Sequence, residues 1–198
     1  MILWINGTFG SGKTTLSYEL NYLIDHSLRY DPELLGEHLM KTIPKRVAEN
    51  DFQHYKAWRE MVVSVLSELS AKMPDTLIIV PMTLTNKKYR QEIFCELSGN
   101  GIQVAEVILT ISADKLIENL KSRHENTKSW AFKQFKNKEK EIEACLDVNK
   151  LCVDNLLIDE VVQKVAKMFD FPLGKDKRNQ LSKWIMRKFL YKRKDSFV

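Results

Sequence analysis

The residues Asn6–Thr14 read NGTFGSGKT and directly follow the apolar run Met1–Ile5. Within them, the spacing G-x-x-x-x-G-K-[ST] of a phosphate-binding loop is filled by Gly7, Gly12, Lys13 and Thr14. After the loop, apolar residues recur at helical spacing, namely Leu16, Leu20, Leu23 and Ile24. The stretch therefore predicts a buried strand, a phosphate-binding loop and a helix in that order. The alternative is an ordinary glycine-rich turn, which would require neither the Lys-Thr pair nor the flanking strand and helix.

Such a loop binds phosphate because consecutive backbone N–H groups point at the ligand from the positive end of a helix dipole. Here the donors belong to Gly10–Thr14, and glycine permits the backbone path that they need. We expect the Lys13 ammonium to reach the β- and γ-phosphates of ATP and the Thr14 hydroxyl to bind Mg²⁺. The predicted nucleotide-binding set is Gly7, Gly10, Ser11, Gly12, Lys13, Thr14 and Thr15.

Length and composition favour one soluble, globular domain. The chain has 198 residues, of which 44% are hydrophobic and 29% are charged. No apolar stretch approaches the ~18 residues of a membrane-spanning helix, and the apolar start lacks the basic segment of a signal peptide. The scattered cysteines form no C-x-x-C pair, which argues against a disulfide framework or a zinc site; they are Cys95, Cys145 and Cys152. These features favour a cytoplasmic protein.

The formal net charge of +5 comes from the C-terminal tail, which we define as residues 175–198. The tail has nine Lys or Arg and two Asp or Glu, so residues 1–174 carry a net charge of −2. A nucleic-acid-binding domain would have a basic face, and we therefore expect no nucleic-acid partner. Pro172 and Gly174 mark a linker, which divides the chain into a domain, 1–174, and the tail.

Strand-like apolar runs alternate with helical patterns along the domain. After the first run they are Ser27–Tyr30, Thr76–Met82, Val104–Ile111 and Leu151–Val153. Apolar residues at helical spacing in residues 51–72 predict one long helix, which Asn50 or Asp51 would cap. Because strands alternating with helices indicate a parallel sheet, we predict a three-layer α/β fold of about five strands, with the nucleotide at the C-terminal edge of the first strand.

The position of acidic residues distinguishes the classes of P-loop protein. A guanine-nucleotide-binding protein needs N-K-x-D after a strand, but residues 85–89 read TNKKY, with Tyr89 at the Asp position. Motor-type and related ATPases carry an acid at the end of a buried strand to hold Mg²⁺, but TLIIVPMT ends its apolar run in Pro81 and Met82. Both patterns argue against these two classes.

An acidic pair follows a different strand, in RYDPE at residues 29–33. Strand ends at this edge face the phosphates, so Asp31 is predicted to organise the Mg²⁺ water shell or to accept the proton of an attacking hydroxyl, with Glu33 as its helper in binding the substrate. The alternative is that Asp31 only caps the next helix, because Pro32 fits the first helical position and Glu33 the first turn. The two roles are compatible.

Six segments, in their order and spacing, resemble the bacterial tunicamycin-resistance family of P-loop proteins. They are WINGTFGSGKT, RYDPELLG, DFQHYKAWR, LIIVPMT, KSWAFKQ and VDNL. The likeness extends from Ile2 to about Phe171, and more distantly the layout is similar to shikimate, gluconate and nucleoside monophosphate kinases. The resemblance implies a core that binds ATP, a helical region that binds the acceptor, and a mobile lid at about residues 124–136.

The resemblance also implies roles for residues outside the P-loop. Arg59 would bind the substrate, and Tyr55 and Trp58 would stack on a ring of it. The alternatives are core packing for Trp58 and a solvated helix face for Arg59. At the start of the lid, Arg123 would bridge the phosphates, although related nucleotide kinases often use several arginines there.

The segment CVDNLLIDEV, residues 152–161, resembles the loop that packs on adenine in these kinases and would place Asp154 and Asn155 near the base. A plain connection between strand and helix is the alternative. Two functions remain open. In one, a kinase transfers the γ-phosphoryl of ATP to a small molecule, with Lys13, Asp31 and Arg123 as catalytic residues. In the other, the protein binds ATP and an antibiotic and protects by sequestration.

The tail contains an apolar stripe at helical spacing, formed by Leu181, Trp184, Ile185 and Phe189. Lys183 and Arg187 lie opposite, so the tail is predicted to be a basic amphipathic helix. We expect it to bind an anionic membrane surface, which would place a cytoplasmic protein peripherally on the inner face of the membrane. The alternative is a C-terminal helix that docks on the domain.

Overall fold

The computed structural model describes residues 1–122, 141–142 and 149–190 of the chain. Over these ranges a five-stranded sheet has the strand order β2-β3-β1-β4-β5, and every neighbouring pair is parallel. The strands are β1 (Ile2–Gly7), β2 (Ser27–Arg29), β3 (Leu77–Pro81), β4 (Val104–Thr110) and β5 (Asn149–Cys152). The predicted α/β fold with a parallel sheet of about five strands is confirmed.

Seven α-helices are described alongside this sheet. They are α1 (Lys13–Leu23), α2 (Pro32–Thr42), α3 (Lys56–Lys72), α4 (Lys87–Gly99), α5 (Ala113–Ser122), α6 (Ile158–Met168) and α7 (Gln180–Ile185). The Asn86 side chain caps α4 by accepting hydrogen bonds from two backbone N–H groups. The TNKKY segment is therefore a helix start.

The long helix α3 begins later than the sequence predicts. Asp51 caps a separate 3₁₀ turn, Phe52–His54, because its side chain accepts a hydrogen bond from Gln53 N. The helix then starts at Lys56, and Tyr55 occupies the cap position without a side-chain cap. The prediction that Asn50 or Asp51 caps this helix is wrong, since the turn uses the carboxylate first.

Alternating side chains of the central strand β1 separate two apolar layers. Leu3 and Ile5 pack on one face against α1 and α6, while Ile2 and Trp4 pack on the other against α3 and α4. All four side chains are fully buried, as expected for a parallel sheet covered on both faces. This packing fixes the end of β1, where the phosphate-binding loop begins.

After α6 the chain returns to the domain. The Gly174 backbone N–H donates a hydrogen bond of 2.6 Å to the Leu23 carbonyl at the end of α1. The helix α7 follows, and residues 186–190 continue it as a π-helical turn. In the part of the chain that the structure describes, no helix combines the length and apolarity needed to span a membrane.

Candidate functional site

The loop between β1 and α1 has a backbone path that glycine makes possible. Gly7, Gly10 and Gly12 have φ values of 143°, 76° and 91°, in a region that other residues rarely adopt. A Cβ on Gly7 would also lie 2.4 Å from the Leu109 carbonyl oxygen of β4. The helix α1 begins directly after Gly12, at Lys13, so the loop has the geometry of an anion site at a helix N-terminus.

The Lys13 ammonium is held inside this loop. Its Nζ donates hydrogen bonds of 2.9 Å to the carbonyl oxygens of both Gly7 and Thr8, and the residue is only 8% exposed. Thr14 is exposed, and Thr15 is partly buried. A charged group in a fixed position beside backbone donors suits the binding of phosphate, because little reorganisation is then needed on binding.

A second polar residue ties the loop to its neighbours. Asn6 is fully buried, and its Oδ1 accepts hydrogen bonds from Gly7 N at 2.8 Å and from Leu84 N at 2.9 Å. Its Nδ2 donates to the Leu84 carbonyl at 2.7 Å and to Glu106 at 2.9 Å. Arg90 in turn pairs with Glu106. The amide of Asn6 therefore joins the phosphate-binding loop to the segment after β3.

That segment, Thr83–Thr85, follows the strand that lacks an acidic end. The Thr83 hydroxyl donates a hydrogen bond of 2.9 Å to the Gly7 carbonyl, the same oxygen that Lys13 contacts. The Thr85 hydroxyl donates to the carboxylate of Glu141. Both threonines are buried. The segment after β3 thus presents two buried hydroxyl groups, one bonded to the loop and one to Glu141.

A cavity of about 290 Å³ adjoins the loop and suits a small ligand in size. Its polar side includes the loop, Thr15, Lys115 and Asn119, and the Asn119 side chain donates a hydrogen bond of 3.0 Å to the Gly10 carbonyl. Its apolar side is formed by Leu109, Ile111, Val153, Leu156, Ile158 and Val161. An apolar wall with a few polar groups is suited to a nucleotide base.

The resemblance placed Asp154 and Asn155 near the adenine base, in the connection after β5. Their neighbours Val153 and Leu156 line the cavity. The Asp154 carboxylate accepts a hydrogen bond of 2.8 Å from Ser112 N, and Asn155 is exposed. The connection therefore presents apolar side chains to the cavity, and the direct contact of Asp154 and Asn155 with a base remains a prediction.

Asp31 occupies the cap position of α2. Its Oδ1 accepts a hydrogen bond of 3.1 Å from Glu33 N, with Pro32 at the first helical position. Its Oδ2 forms an ion pair of 2.6 Å with Arg29, whose Nε donates to the Ser17 hydroxyl of α1. The capping interpretation thus holds in the structure, and the ion pair places the carboxylate next to the helix that carries Lys13.

Tyr30 lies between Arg29 and Asp31, and its hydroxyl is buried without a hydrogen-bond partner among the described residues. Burial, together with the nearby charge of Asp31, raises the pKa of Tyr30 to about 12. The phenol therefore stays neutral at physiological pH and does not act as a base.

Three of the four residues predicted to bind the substrate, namely Tyr55, Trp58 and Arg59, are engaged by the protein itself. Trp58 is fully buried, and its Nε1 donates a hydrogen bond of 3.1 Å to the Pro32 carbonyl. The Tyr55 hydroxyl accepts a hydrogen bond from Glu49 N. Trp58 therefore serves core packing in this structure, which is the alternative that its sequence context left open.

Arg59 is also used internally. Its Nε donates to Glu92 at 2.5 Å, its Nη1 donates to the Gln53 carbonyl at 2.6 Å, and its guanidinium lies 4.2 Å from the Tyr89 ring centroid. The residue is 9% exposed. Arg59 thus fixes the turn before α3, and a role in substrate binding remains a prediction. The predicted lid, about 124–136, and Arg123 lie outside the described residues.

The tail rests on the domain through its basic residues. Glu19 of α1 is fully buried, and its carboxylate accepts hydrogen bonds from Arg178, at 2.7 Å, and Arg187, at 3.0 Å. We call this pair of contacts the arginine clasp. Burial alone would raise the pKa of Glu19, but the bonds from both arginines outweigh it and hold that pKa below its ordinary value.

A second acid of the domain extends the contact between tail and domain, and one acid of the tail itself pairs with two of the tail's basic residues. Asp159 of α6 pairs with Arg187 at 2.5 Å, and Asp176 pairs with Arg178 and Lys183, each at 3.0 Å. The hydrogen bond from Arg178 holds the pKa of Asp176 far below its ordinary value. Docking on the domain, the alternative to a free amphipathic helix, is therefore what the described part of the tail shows.

Sequence reasoning assigned no role to several residues that structure this site. They are Asn6, Thr83, Glu106, Lys115 and Asn119. Asn6 and the PMT segment, residues 81–83, belong to the motifs that resemble the family. Neither their spacing nor their polarity indicates that their side chains lie close together. The register of β1 between β3 and β4 brings Asn6, Thr83 and Glu106 together.

No protein-family model matches the chain, and no curated protein sequence matches it. Solved structures do match. The tunicamycin resistance protein of Deinococcus radiodurans has a TM-score of 0.74 at 21% identity, over 88% of this chain and 98% of that chain. A sugar kinase from Janibacter has a TM-score of 0.61 at 15% identity, over 86% of this chain and 94% of that chain.

The APS kinase of Mycobacterium tuberculosis, solved in complex with AMPPNP and APS, has a TM-score of 0.55 at 15% identity. It is matched over 96% of its own length and over 85% of this chain. These likenesses show the fold. The chain has a P-loop kinase-like fold, and the resemblance drawn from the sequence is confirmed at that level.

Proposed function

We propose that this P-loop kinase-like protein binds ATP with Mg²⁺ and transfers the γ-phosphoryl group to a hydroxyl of a small molecule. The observation that carries the proposal is Lys13, whose buried ammonium is fixed on two carbonyls of the loop. An adjacent apolar cavity of about 290 Å³ has room for a base. The kinase-like fold supports the same reading.

The residues of the loop fit a magnesium-bound nucleotide. The backbone N–H groups that open α1 would bind phosphate oxygens, Lys13 would neutralise charge at the β- and γ-phosphates, and the exposed Thr14 hydroxyl would ligate Mg²⁺. Thr15 and Asn119 line the cavity beside the loop. When bound, the nucleotide supplies the phosphoryl group and the metal supplies positive charge at the site of transfer.

Asp31 is the proposed acid of the site. Its ion pair with Arg29, which in turn contacts Ser17 of α1, holds the carboxylate near the Lys13 end of that helix. There it would accept the acceptor's hydroxyl proton or hold a metal-bound water, with Glu33 in the next turn. Arg123 is proposed to add positive charge from the lid.

The proposed acceptor is a nucleoside antibiotic of the tunicamycin kind. The support is the similarity to the tunicamycin resistance protein of Deinococcus radiodurans, which extends over 98% of that protein. Tyr55, Trp58 and Arg59 belong to the predicted acceptor region. Because Trp58 is fully buried, it would support the acceptor-binding surface from inside the protein and would not contact the acceptor itself. A metabolite kinase with another substrate is an alternative within the same reaction class.

Mass spectrometry of tunicamycin after incubation with the protein and Mg-ATP tests this proposal. We expect a mass gain of one phosphoryl group, and no gain with the Lys13→Ala variant. An unchanged antibiotic mass in the presence of measurable ATP binding would contradict phosphoryl transfer. Parallel incubation with other hydroxyl compounds would then separate a different acceptor from a protein that transfers nothing.

Sequestration is the second candidate function. It is favoured by the absence of an acid at the end of β3 and by the use of Asp31 as a cap in an ion pair. Under this function the antibiotic would bind with ATP and dissociate unchanged. Equilibrium dialysis combined with the mass measurement separates the two functions, because only sequestration gives binding without a mass gain.

We also propose a cytoplasmic location with peripheral contact to anionic membranes. The support is the outward face of the tail, where Leu181, Trp184, Ile185 and Phe189 are 41–64% exposed. Lys188 lies 4.7 Å from the Trp184 ring centroid on the same face. The basic residues of the arginine clasp point inward, so the apolar side chains would provide most of the attachment.

A further inference from the structure

We propose that Thr83 is a positioning residue for the Lys13 ammonium. Its hydroxyl and the Lys13 Nζ each lie 2.9 Å from one oxygen, the Gly7 carbonyl, so the two side chains meet at a shared acceptor. Thr83 stands two residues beyond β3 and is 2% exposed. The inference rests on the proposed nucleotide-binding function.

The Gly7 carbonyl needs an external anchor because of its backbone. At a φ of 143° the residue is in a region open to glycine, whose peptide planes turn more easily than those of other residues. Asn6 Oδ1 holds the N–H side of Gly7 at 2.8 Å. The Thr83 hydroxyl holds the carbonyl side, so the two contacts together fix the orientation of the loop's first residue.

Thr83 is itself fixed well enough to serve as that anchor. Its own carbonyl accepts a hydrogen bond of 3.1 Å from Gln53 Nε2, and Gln53 is 6% exposed. The next residue, Leu84, is bound through both its N–H and its carbonyl by the Asn6 side chain. The hydroxyl therefore projects from a backbone that is held on both sides.

An ammonium that donates to two carbonyls takes its position from them. If the Gly7 carbonyl turns, Lys13 loses one of the carbonyl oxygens that hold it, and its charge moves away from the place where the β-phosphate would lie. Thr83 thus acts on phosphate binding through Lys13 without touching the nucleotide. Loss of the Thr83 hydroxyl would therefore lower the affinity for ligands that carry a β-phosphate and leave the affinity for other ligands unchanged.

The test compares the affinities of Mg-ATP, Mg-ADP and AMP for the wild-type chain and for Thr83→Val, by isothermal titration calorimetry. Valine keeps the volume and removes the hydroxyl. We expect Thr83→Val to weaken ATP and ADP on the order of tenfold and to leave AMP affinity unchanged, since losing a buried hydrogen bond and misplacing a charge have about this effect.

Two variants control for general damage to the fold. Thr83→Ser restores a hydroxyl and is expected to restore the ratio of ATP to AMP affinity. Thr85→Val removes a buried hydroxyl from the same segment, but that hydroxyl contacts Glu141 and not Gly7, so the ratio is expected to stay at its wild-type value.

The outcomes separate this inference from the function on which it rests. If wild-type protein binds ATP and Thr83→Val weakens all three nucleotides equally, or none, the positioning role is wrong while nucleotide binding stands. If the wild-type protein binds none of the three nucleotides, the proposed function falls and the inference falls with it.

Discussion

Lys13 carries a buried charge, and we expect the fold to form without it. Its Nζ donates hydrogen bonds to the Gly7 and Thr8 carbonyls, and the Gly7 carbonyl keeps a second donor in Thr83. We therefore expect Lys13→Ala to fold normally and to bind ATP about ten- to a hundredfold more weakly, the effect of losing a charged hydrogen bond.

Calorimetry with Mg-ATP and a thermal melt measure both parts of this prediction. The matched control is Lys72→Ala, because Lys72 is an exposed lysine of α3 that pairs with Glu68, and its loss is expected to leave affinity unchanged. An unaltered ATP affinity in folded Lys13→Ala protein would remove the phosphate-binding role of the loop.

Asp31 has two structural contacts that substitution can separate. Asn keeps the acceptor for Glu33 N but cannot act as a carboxylate base, while Ala removes the acceptor as well. We expect Asp31→Asn to abolish turnover of the acceptor and to keep the helix cap. Asp31→Ala is expected to be less stable than Asn by about 1 kcal/mol, the usual value of an N-cap.

Acceptor turnover and thermal unfolding of the two variants provide the comparison. Each loses the charge that pairs with Arg29, so that contribution cancels between them. Full activity in Asp31→Asn would leave Asp31 with a structural role alone.

At the scale of elements, α1 links the phosphate-binding loop to the tail. Glu19 lies two turns after Lys13, and the arginine clasp lowers its pKa from the ordinary value of 4.5. A group whose pKa is lower in the folded state stabilises the fold above its unfolded pKa, and this stability is lost as the pH falls. We expect the free energy of unfolding to decrease as the pH drops below about 4.5.

Denaturant unfolding at neutral pH and across the acidic range tests this sign. Glu19→Gln is expected to be destabilised by about 3 kcal/mol at neutral pH, because Arg178 and Arg187 lose one charged partner but each keep another, and to show a smaller loss in acid. Glu68→Gln is the control, since Glu68 is exposed and paired with Lys72. An equal acid slope in wild-type and Glu19→Gln protein would contradict the role of Glu19.

Elements that follow from a local sequence pattern were predictable. Elements in which one residue could make either of two interactions were not. The run Met1–Ile5 and the loop after it follow from apolar character and glycine spacing alone. The start of α3 does not, because Asp51 can cap either a helix or a short turn, and tertiary packing of Trp58 against Phe52 accompanies the turn. Arg59 is a similar case, because its guanidinium could donate hydrogen bonds to a substrate or to the Gln53 carbonyl. The sequence does not show which of these two acceptors it binds.

At the scale of the whole molecule, the tail turns its basic residues towards the domain and its apolar stripe outward. Its basic residues meet buried and partly buried acids of the domain, and its apolar stripe faces outward. The sequence pattern of a helix shows that one face is apolar and the other basic. It does not show which of the two faces packs against the domain. The acids Glu19 and Asp159 decide this, and they lie far away in sequence.

The outward stripe leads to a prediction about membranes. We expect vesicles containing anionic lipid to sediment the wild-type protein and the double variant Trp184→Ser/Phe189→Ser to sediment much less, since each buried aromatic side chain contributes about 1.5–3 kcal/mol. Raised salt is expected to have a modest effect, because Arg178, Lys183 and Arg187 are paired within the protein.

The control for this experiment is Met73→Ser, which removes an exposed apolar side chain at the end of α3. It is expected to sediment like wild type. Equal sedimentation of wild type and the double variant would assign the stripe to another role and leave the tail as a packing element.

The arginine clasp also constrains the order in which a newly made chain can mature. Glu19 is separated from Arg178 by 159 positions and from Arg187 by 168, so it leaves the ribosome long before either partner is synthesised. A carboxylate without a partner is costly to bury, and the surface of α1 around it must stay hydrated during that interval. The helix α1 therefore reaches its final packing only after Arg178 and Arg187 have been synthesised.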